Sequence, residues 1–142
     1  MKTIFESSAT NKGGRSGHVT TEGGLIDLDV KMPNNTDATI QEKYTNPEQL
    51  FAAAYSTCFA GALEAVAKEK GIDDLGDFSV SATIGFVKDD DGFNIEATLD
   101  SYLPTVDKEK GEELINAAHE ICPYSKATQD NITVTLNLLL EE

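Results

Sequence analysis

Asn46-Pro47-Glu48-Gln49-Leu50-Phe51-Ala52-Ala53-Ala54-Tyr55-Ser56-Thr57-Cys58-Phe59-Ala60-Gly61-Ala62-Leu63-Glu64-Ala65-Val66 is the stretch on which the fold turns. From Leu50 onward nearly every residue is apolar or small, as in a membrane span. Alanine dominates it, however, and Ser56, Thr57 and Glu64 interrupt it, so the expectation is a buried helix of a globular protein rather than a membrane segment. Asn46 suits an N-cap, Pro47 the first helical position, and Glu48 the positive end of the helix dipole. Lys68 and Lys70 in the last turn and Gly71 just beyond mark the other end. The spacing therefore predicts a helix over 47–70, about 36 Å long at 1.5 Å per residue.

That helix has two unlike faces. Phe51, Tyr55, Phe59, Leu63 and Val66 form a bulky stripe, and Ala54, Cys58, Gly61, Ala62 and Ala65 a small one. Such a helix is expected to be packed on both sides. Around it the chain reads mostly as strand. Gly17–Thr21 and Leu25–Met32 flank the Glu22-Gly23-Gly24 turn. Phe78–Val87 and Phe93–Leu103 alternate in hydrophobicity about a loop from Lys88 to Gly92. A second amphipathic helix is predicted over 107–121, with Leu114, Ile115, Ala118 and Ile121 on one stripe, stopping at Cys122-Pro123. Asn131–Leu140 alternates as a last strand, and the polar segment Pro33–Thr45 reads as a loop. Hairpins separated by two helices indicate an α+β fold with largely antiparallel sheets. Residues 1–142 are expected to form a single domain.

The 142 residues include 11 basic and 25 acidic side chains, a formal net charge of −14. A field of that sign repels phosphate backbones, and the chain has no tryptophan for base stacking, so nucleic acid is an unfavourable partner. Met-Lys-Thr-Ile-Phe-Glu at the N-terminus has no apolar core or cleavage pattern, so a cytoplasmic location is expected. In a reducing compartment two cysteines are redox, catalytic or buried thiols sooner than a structural staple.

Each candidate for chemistry carries a plain reading beside it. Cys58 lies on the small helix face, where it packs as a small hydrophobe or where a slim ligand approaches its sulfur. A buried thiol is inert unless its thiolate is stabilised. Arg15, the one arginine, sits in Gly13-Gly14-Arg15-Ser16-Gly17; it either faces solvent or lays a guanidinium, always charged, into a pocket. Cys122 follows the second helix, where unpaired carbonyls disfavour a thiolate. If the two thiols act together, Cys58 is therefore the better nucleophile and Cys122 its partner. Cys122-Pro123-Tyr124-Ser125 looks like a glutaredoxin-type turn, but that chemistry starts a helix near a βαβ unit, and here the turn follows a helix late in the chain. His119 and Cys122 could share a metal with His18 or Cys58, yet paired ligand spacing occurs only once, which argues against zinc.

With these residues in view, the chain resembles the organic hydroperoxide resistance (Ohr) family of the OsmC/Ohr group of thiol peroxidases. The likeness rests on Thr45 through Phe59, on Ala118-His119-Glu120-Ile121-Cys122-Pro123-Tyr124-Ser125, and on Gly14-Arg15-Ser16-Gly17. It implies an intertwined α+β homodimer with two active sites at the subunit interface. It also implies that Cys58 is the peroxidatic and Cys122 the resolving cysteine, with Arg15 and Glu48 the polar pair that activates Cys58. The implied activity is reduction of organic hydroperoxides, including those of fatty acids, through a Cys58 sulfenic acid and a Cys58–Cys122 disulfide. Recycling would come from lipoylated proteins with dihydrolipoamide dehydrogenase, and no metal or flavin is implied. Phe51, Tyr55 and Phe59, or the partner subunit, are expected to line a pocket that favours alkyl peroxides. The alternatives are an OsmC-type peroxidase of different substrate preference and a non-enzymatic stress or binding protein with buried thiols.

One geometric expectation goes further. Glu48 and Cys58 are ten residues apart on one predicted helix, a rise of about 15 Å. Either the Glu48 that serves a given Cys58 comes from the other subunit, or the helix breaks between them.

Overall fold

A computed structural model describes residues 1–34, 37 and 39–142. The chain divides into two compact units, Met1–Leu50 and Phe51–Glu142. The first contains strands β1 (Ala9–Lys12), β2 (His18–Thr21) and β3 (Asp27–Asp29), antiparallel neighbours in that order. β2 and β3 are the two strands expected around Glu22-Gly23-Gly24, where the Gly24 N–H closes the turn on the Thr21 carbonyl at 2.9 Å. β3 is shorter than predicted because Val30 leaves the ladder for an isolated parallel bridge to Thr45. β1 is an addition: Ala9-Thr10-Asn11-Lys12 is exposed throughout, so it shows no alternation to read. The segment expected as a loop, Pro33–Thr45, holds a short helix α1 (Ile40–Lys43), and its residues 35, 36 and 38 lie outside the described ones.

Helix α2 runs unbroken over Pro47–Glu69. The Asn46 side chain caps it, Oδ1 accepting the Gln49 N–H at 2.7 Å, as the sequence indicates. By length and composition α2 could cross a membrane, but Tyr55, Phe59 and Leu63 are fully buried in the core of the second unit. They pack with Leu99, Leu114, Ile115, Ala118 and Cys122. Truncating a buried leucine such as Leu63 or Leu114 to alanine costs about 2–5 kcal/mol. The small face is not covered in the same way: Gly61 and Ala65 are exposed in this chain.

The second unit carries strands β4 (Ser79–Asp89) and β5 (Gly92–Tyr102), helices α3 (Lys108–Ile121) and α4 (Pro123–Thr128), and strand β6 (Val134–Leu139). β4 and β5 form the predicted hairpin, in register from Ser79↔Tyr102 to Asp89↔Gly92. β6 pairs with β5 in parallel, from Ala97↔Val134 to Tyr102↔Leu139. A parallel pair needs a crossover, and α3 and α4 are inside it. Asp107 caps α3, its side chain accepting the Lys110 N–H at 2.8 Å. A Cβ on Gly111 would come 2.8 Å from Leu138 Cδ2, so the glycine lets α3 lie close on β6. Leu114, Ile115 and Ala118 are buried as the stripe predicts, while Ile121 is exposed. Among the described residues the architecture is α+β, two three-stranded sheets with helices.

Candidate active site

In the first unit, the segment around Arg15 is built by its neighbours. Asn11 clasps the Gly14 peptide from both sides: Oδ1 accepts its N–H at 2.8 Å and Nδ2 donates to its carbonyl at 3.1 Å. Gly17 has to be glycine, because a Cβ there would fall 1.9 Å from the Lys12 carbonyl oxygen. The turn Gly14–Ser16 so formed presents Arg15 to Glu48 in the first turn of α2. The contact is two-pronged, Nη2 to Oε1 at 2.9 Å and Nη1 to Oε2 at 3.1 Å. The guanidinium holds the Glu48 carboxyl below its usual range, and Glu48 raises Arg15 in return. Beside the pair lies an apolar pocket of about 320 Å³, lined by Asn11, Gly14, Arg15, Val19, Val30, Pro47 and Leu50. A fixed cation at the edge of an apolar hollow fits a ligand with a polar head and a hydrocarbon body.

The second unit holds the two thiols. Cys58 is half-buried in mid-α2; Cys122 is fully buried and ends α3, its N–H donating to the Ala118 carbonyl at 2.8 Å. Their sulfurs are 3.4 Å apart and both are free. A disulfide needs about 2.05 Å, so closure calls for an approach of about 1.4 Å and no refolding. Burial pushes the Cys58 thiol up, the Tyr124 backbone N–H pulls it down, and Cys122 alongside adds to the upward push. A thiol so placed needs a further cation to act as a thiolate near neutral pH.

Cys122 is also the N-cap of α4, which the sequence reading did not anticipate. Pro123 ends α3 and occupies the first position of α4, a place that suits proline as well as a stop does. From that corner the Ser125 hydroxyl reaches Tyr55 Oη and His119 Nδ1, each at 2.8 Å. Tyr55 Oη also lies 3.2 Å from Thr128 Oγ1.

The structure thus brings Arg15 to Glu48 and Cys58 to Cys122, the four polar residues named from the sequence. Of the three aromatic side chains expected to line the pocket, Tyr55 and Phe59 are fully buried in the core, where their bulk fills the space between α2 and the sheet. Phe51 keeps some exposure, its ring stacked on Tyr124 at 5.9 Å. The apolar hollow in the first unit is lined instead by Val19, Val30, Pro47 and Leu50. The contacts of Ser125 are not legible in the sequence, although it ends the motif from Ala118 to Ser125. The signal available was a buried-type serine one turn beyond a cysteine, which is weak. His119, weighed as a metal ligand, donates or accepts at Ser125, and His18 stands between Asp29 and Asp27. Among the described residues no three His, Cys, Asp or Glu side chains gather to hold a metal ion.

Comparison with known proteins gives consistent matches along the chain. The profile of OsmC-like proteins matches residues 40–137. The chain is 47% identical over 137 residues to the organic hydroperoxide resistance protein OhrB of Bacillus subtilis, covering 95% of this chain and 98% of that one. The crystal structure of that protein superposes with a TM-score of 0.88, covering 96% of this chain and all, 100%, of the other. An organic hydroperoxide resistance protein from Elizabethkingia anophelis, 40% identical, superposes with a TM-score of 0.84 over 97% of this chain and 98% of its own.

Proposed function

The chain belongs to the OsmC-like family, among its organic hydroperoxide resistance proteins, and from that premise we propose that it is a cysteine-based peroxidase that reduces organic hydroperoxides to alcohols. The observation that carries this reading is the pair of free sulfurs 3.4 Å apart, one half-buried and one fully buried. In the first step the Cys58 thiolate attacks one peroxide oxygen, the O–O bond breaks, and the alkoxide takes a proton and leaves as alcohol. Cys58 is left as a sulfenic acid. The Cys122 thiol then attacks the Cys58 sulfur; an S–S bond forms, the S–O bond breaks, and hydroxide leaves with the Cys122 proton as water. An external dithiol opens the disulfide by exchange, its second thiol displacing the mixed disulfide. A lipoyl-type dithiol suits that two-thiol exchange, and no metal or flavin is required.

The cation that would stabilise the Cys58 thiolate is proposed to be Arg15 of a second copy, in a homodimer. α2 is continuous, so ten residues of helix, a rise of about 15 Å, separate Glu48 from Cys58 of the same chain. Of the two expectations drawn from that spacing, the helix break is gone, and a partner-supplied Arg15–Glu48 pair is the one retained. Exposed apolar side chains favour association with another copy: Ile4, Phe5 and Leu25, and the stacked Phe86–Phe93 rings. In that arrangement the guanidinium would orient the peroxide and stabilise charge on the leaving oxygen. The apolar hollow next to Arg15 would take the hydrocarbon part, and this would favour alkyl and fatty-acid hydroperoxides over hydrogen peroxide. A reducing, cytoplasmic setting suits two neighbouring thiols that are both free.

The test is a count of free thiols before and after one equivalent of cumene hydroperoxide. The peroxidase reading expects rapid loss of both thiols of each chain, and none in Cys58→Ser. Slow, non-stoichiometric loss, as from buried thiols of a binding protein, would overturn it.

A further inference from the structure

The reaction above uses two sulfurs and leaves unused the hydroxyl that joins their supports. Ser125 is fully buried, and its Oγ lies 2.8 Å from Tyr55 Oη and 2.8 Å from His119 Nδ1. Tyr55 precedes Cys58 by three residues on α2, and His119 precedes Cys122 by three at the end of α3. Residues three apart on a helix are neighbours on its surface. One hydroxyl therefore fastens the turn that bears Cys58 to the turn that leads into Cys122. The backbone N–H of Tyr124, next to Ser125, meanwhile draws the Cys58 thiol down from its raised value.

The protons of this cluster have a consistent order. Thr128 Oγ1 donates to the Ser125 carbonyl at 3.2 Å, so it accepts from Tyr55 Oη, also at 3.2 Å. Tyr55 then accepts from the Ser125 hydroxyl, which accepts from His119 Nδ1–H. Each hydroxyl proton has its own acceptor, and among the described residues no buried side-chain polar atom lacks a partner. A fully satisfied buried network of this kind is stiff and directional.

Resting on the peroxidase reading, we propose that Ser125 is a positioning residue for the resolving step: its hydroxyl, gripped by Tyr55 and His119, holds the α3–α4 corner so that Cys122 Sγ stays in line with the oxidised Cys58. The need is geometric. Once Cys58 carries an oxygen, Cys122 has to reach its sulfur from the side opposite the S–O bond, over a gap of 3.4 Å in the reduced protein. A corner that drifts by about the 1.4 Å of approach that a disulfide requires leaves the sulfenic acid waiting. A second peroxide then oxidises it to sulfinic acid, transferring one more oxygen and leaving as alcohol.

The experiment is single-turnover kinetics with one equivalent of cumene hydroperoxide, followed by mass analysis after excess peroxide. Parent, Ser125→Ala, Tyr55→Phe and the double variant are compared, and their thermal unfolding is measured. Disulfide closure is expected to slow about tenfold in Ser125→Ala, the scale of losing a buried hydrogen-bonded hydroxyl, and more than peroxide consumption slows. Sulfinic acid appears at peroxide levels where the parent forms only disulfide. Tyr55→Phe shows the same partition more weakly and adds nothing in the Ser125→Ala background. Parent-like closure in Ser125→Ala overturns the proposal, as does a fall in which both steps and thermal stability drop together. If Ser125→Ala does not fold, parent-like partition in the near-isosteric Tyr55→Phe overturns it, and Tyr55→Phe with slowed closure and added sulfinic acid supports it. Failure of the parent itself to form the Cys58–Cys122 disulfide is a different result and sinks the peroxidase reading instead.

Discussion

Arg15 holds Glu48 by two parallel hydrogen bonds, 2.9 and 3.1 Å long, joining a glycine-rich turn to the first turn of the longest helix. The fork geometry matters more than the charge, because only a guanidinium offers two coplanar donors to one carboxylate. Arg15→Lys keeps the charge and loses the fork. It is expected to lower the second-order rate with cumene hydroperoxide about 100-fold, the scale of losing an oriented donor at a developing oxyanion. Thermal unfolding should move little, since the Arg15 side chain is 41% exposed and such pairs add little to stability. Stopped-flow peroxide consumption and a melting curve on the same sample check both halves.

Acid and base should act on different pairs. Glu48 is held below its ordinary range by Arg15, so the stability it contributes is present above that range and is lost only as pH falls through the depressed value. His18 runs the other way. Its ring nitrogens face Asp29 and Asp27, which raise it above its ordinary 6.5. Its contribution is complete below the ordinary value and disappears as pH rises through the raised one. Both groups are solvent-screened, so denaturant midpoints measured across pH are expected to show a small decline on the alkaline side that His18→Gln removes, and a small acid decline that Glu48→Gln moderates.

Cys122→Ser is expected to separate the two proposed chemical steps. Serine fills nearly the same buried space, so folding should survive, while the sulfenic acid at Cys58 has no thiol to condense with. Dimedone labelling after one equivalent of hydroperoxide is expected on Cys58 alone, and excess peroxide should carry the same sulfur to sulfinic acid. Intact-mass spectra report both.

Gly17→Ala is the backbone counterpart. Its added methyl would meet the Lys12 carbonyl at 1.9 Å, so the Arg15 turn has to open. The expected cost is about 1–3 kcal/mol, as for other overpacked sites, with peroxide consumption falling as in Arg15→Lys. A melting curve together with the peroxide rate checks this, since an intact turn would leave both unchanged.

The elements with strong local signals were legible in the sequence. Asn46, Pro47 and Lys68 bounded α2 to within a residue, and the alternation from Phe78 to Leu103 gave the β4–β5 hairpin. What escaped had no local signal. β1 is exposed and polar on both faces, and the parallel partner of β6 depends on a pairing distant in sequence. α4 hid behind Pro123, which ends one helix and begins the next. Of the candidate residues, the structure puts Arg15 on Glu48 and Cys58 beside Cys122, side chains whose types and motifs name a chemistry in the sequence. Tyr55 and Phe59 look identical in sequence whether they line a pocket or fill a core, and burial alone separates the two roles. Ser125 acts through contacts with residues 70 and 6 positions away, a relationship that appears only after the helices have packed.

The parallel seam between β5 and β6 closes a loop of chain. Everything that delivers Cys122 lies in the excursion between those strands, so the pairing of Val134–Leu139 with Ala97–Tyr102 anchors both ends of the segment that carries this sulfur. A chain whose seam is opened is expected to lose the dithiol while it still holds both cysteines.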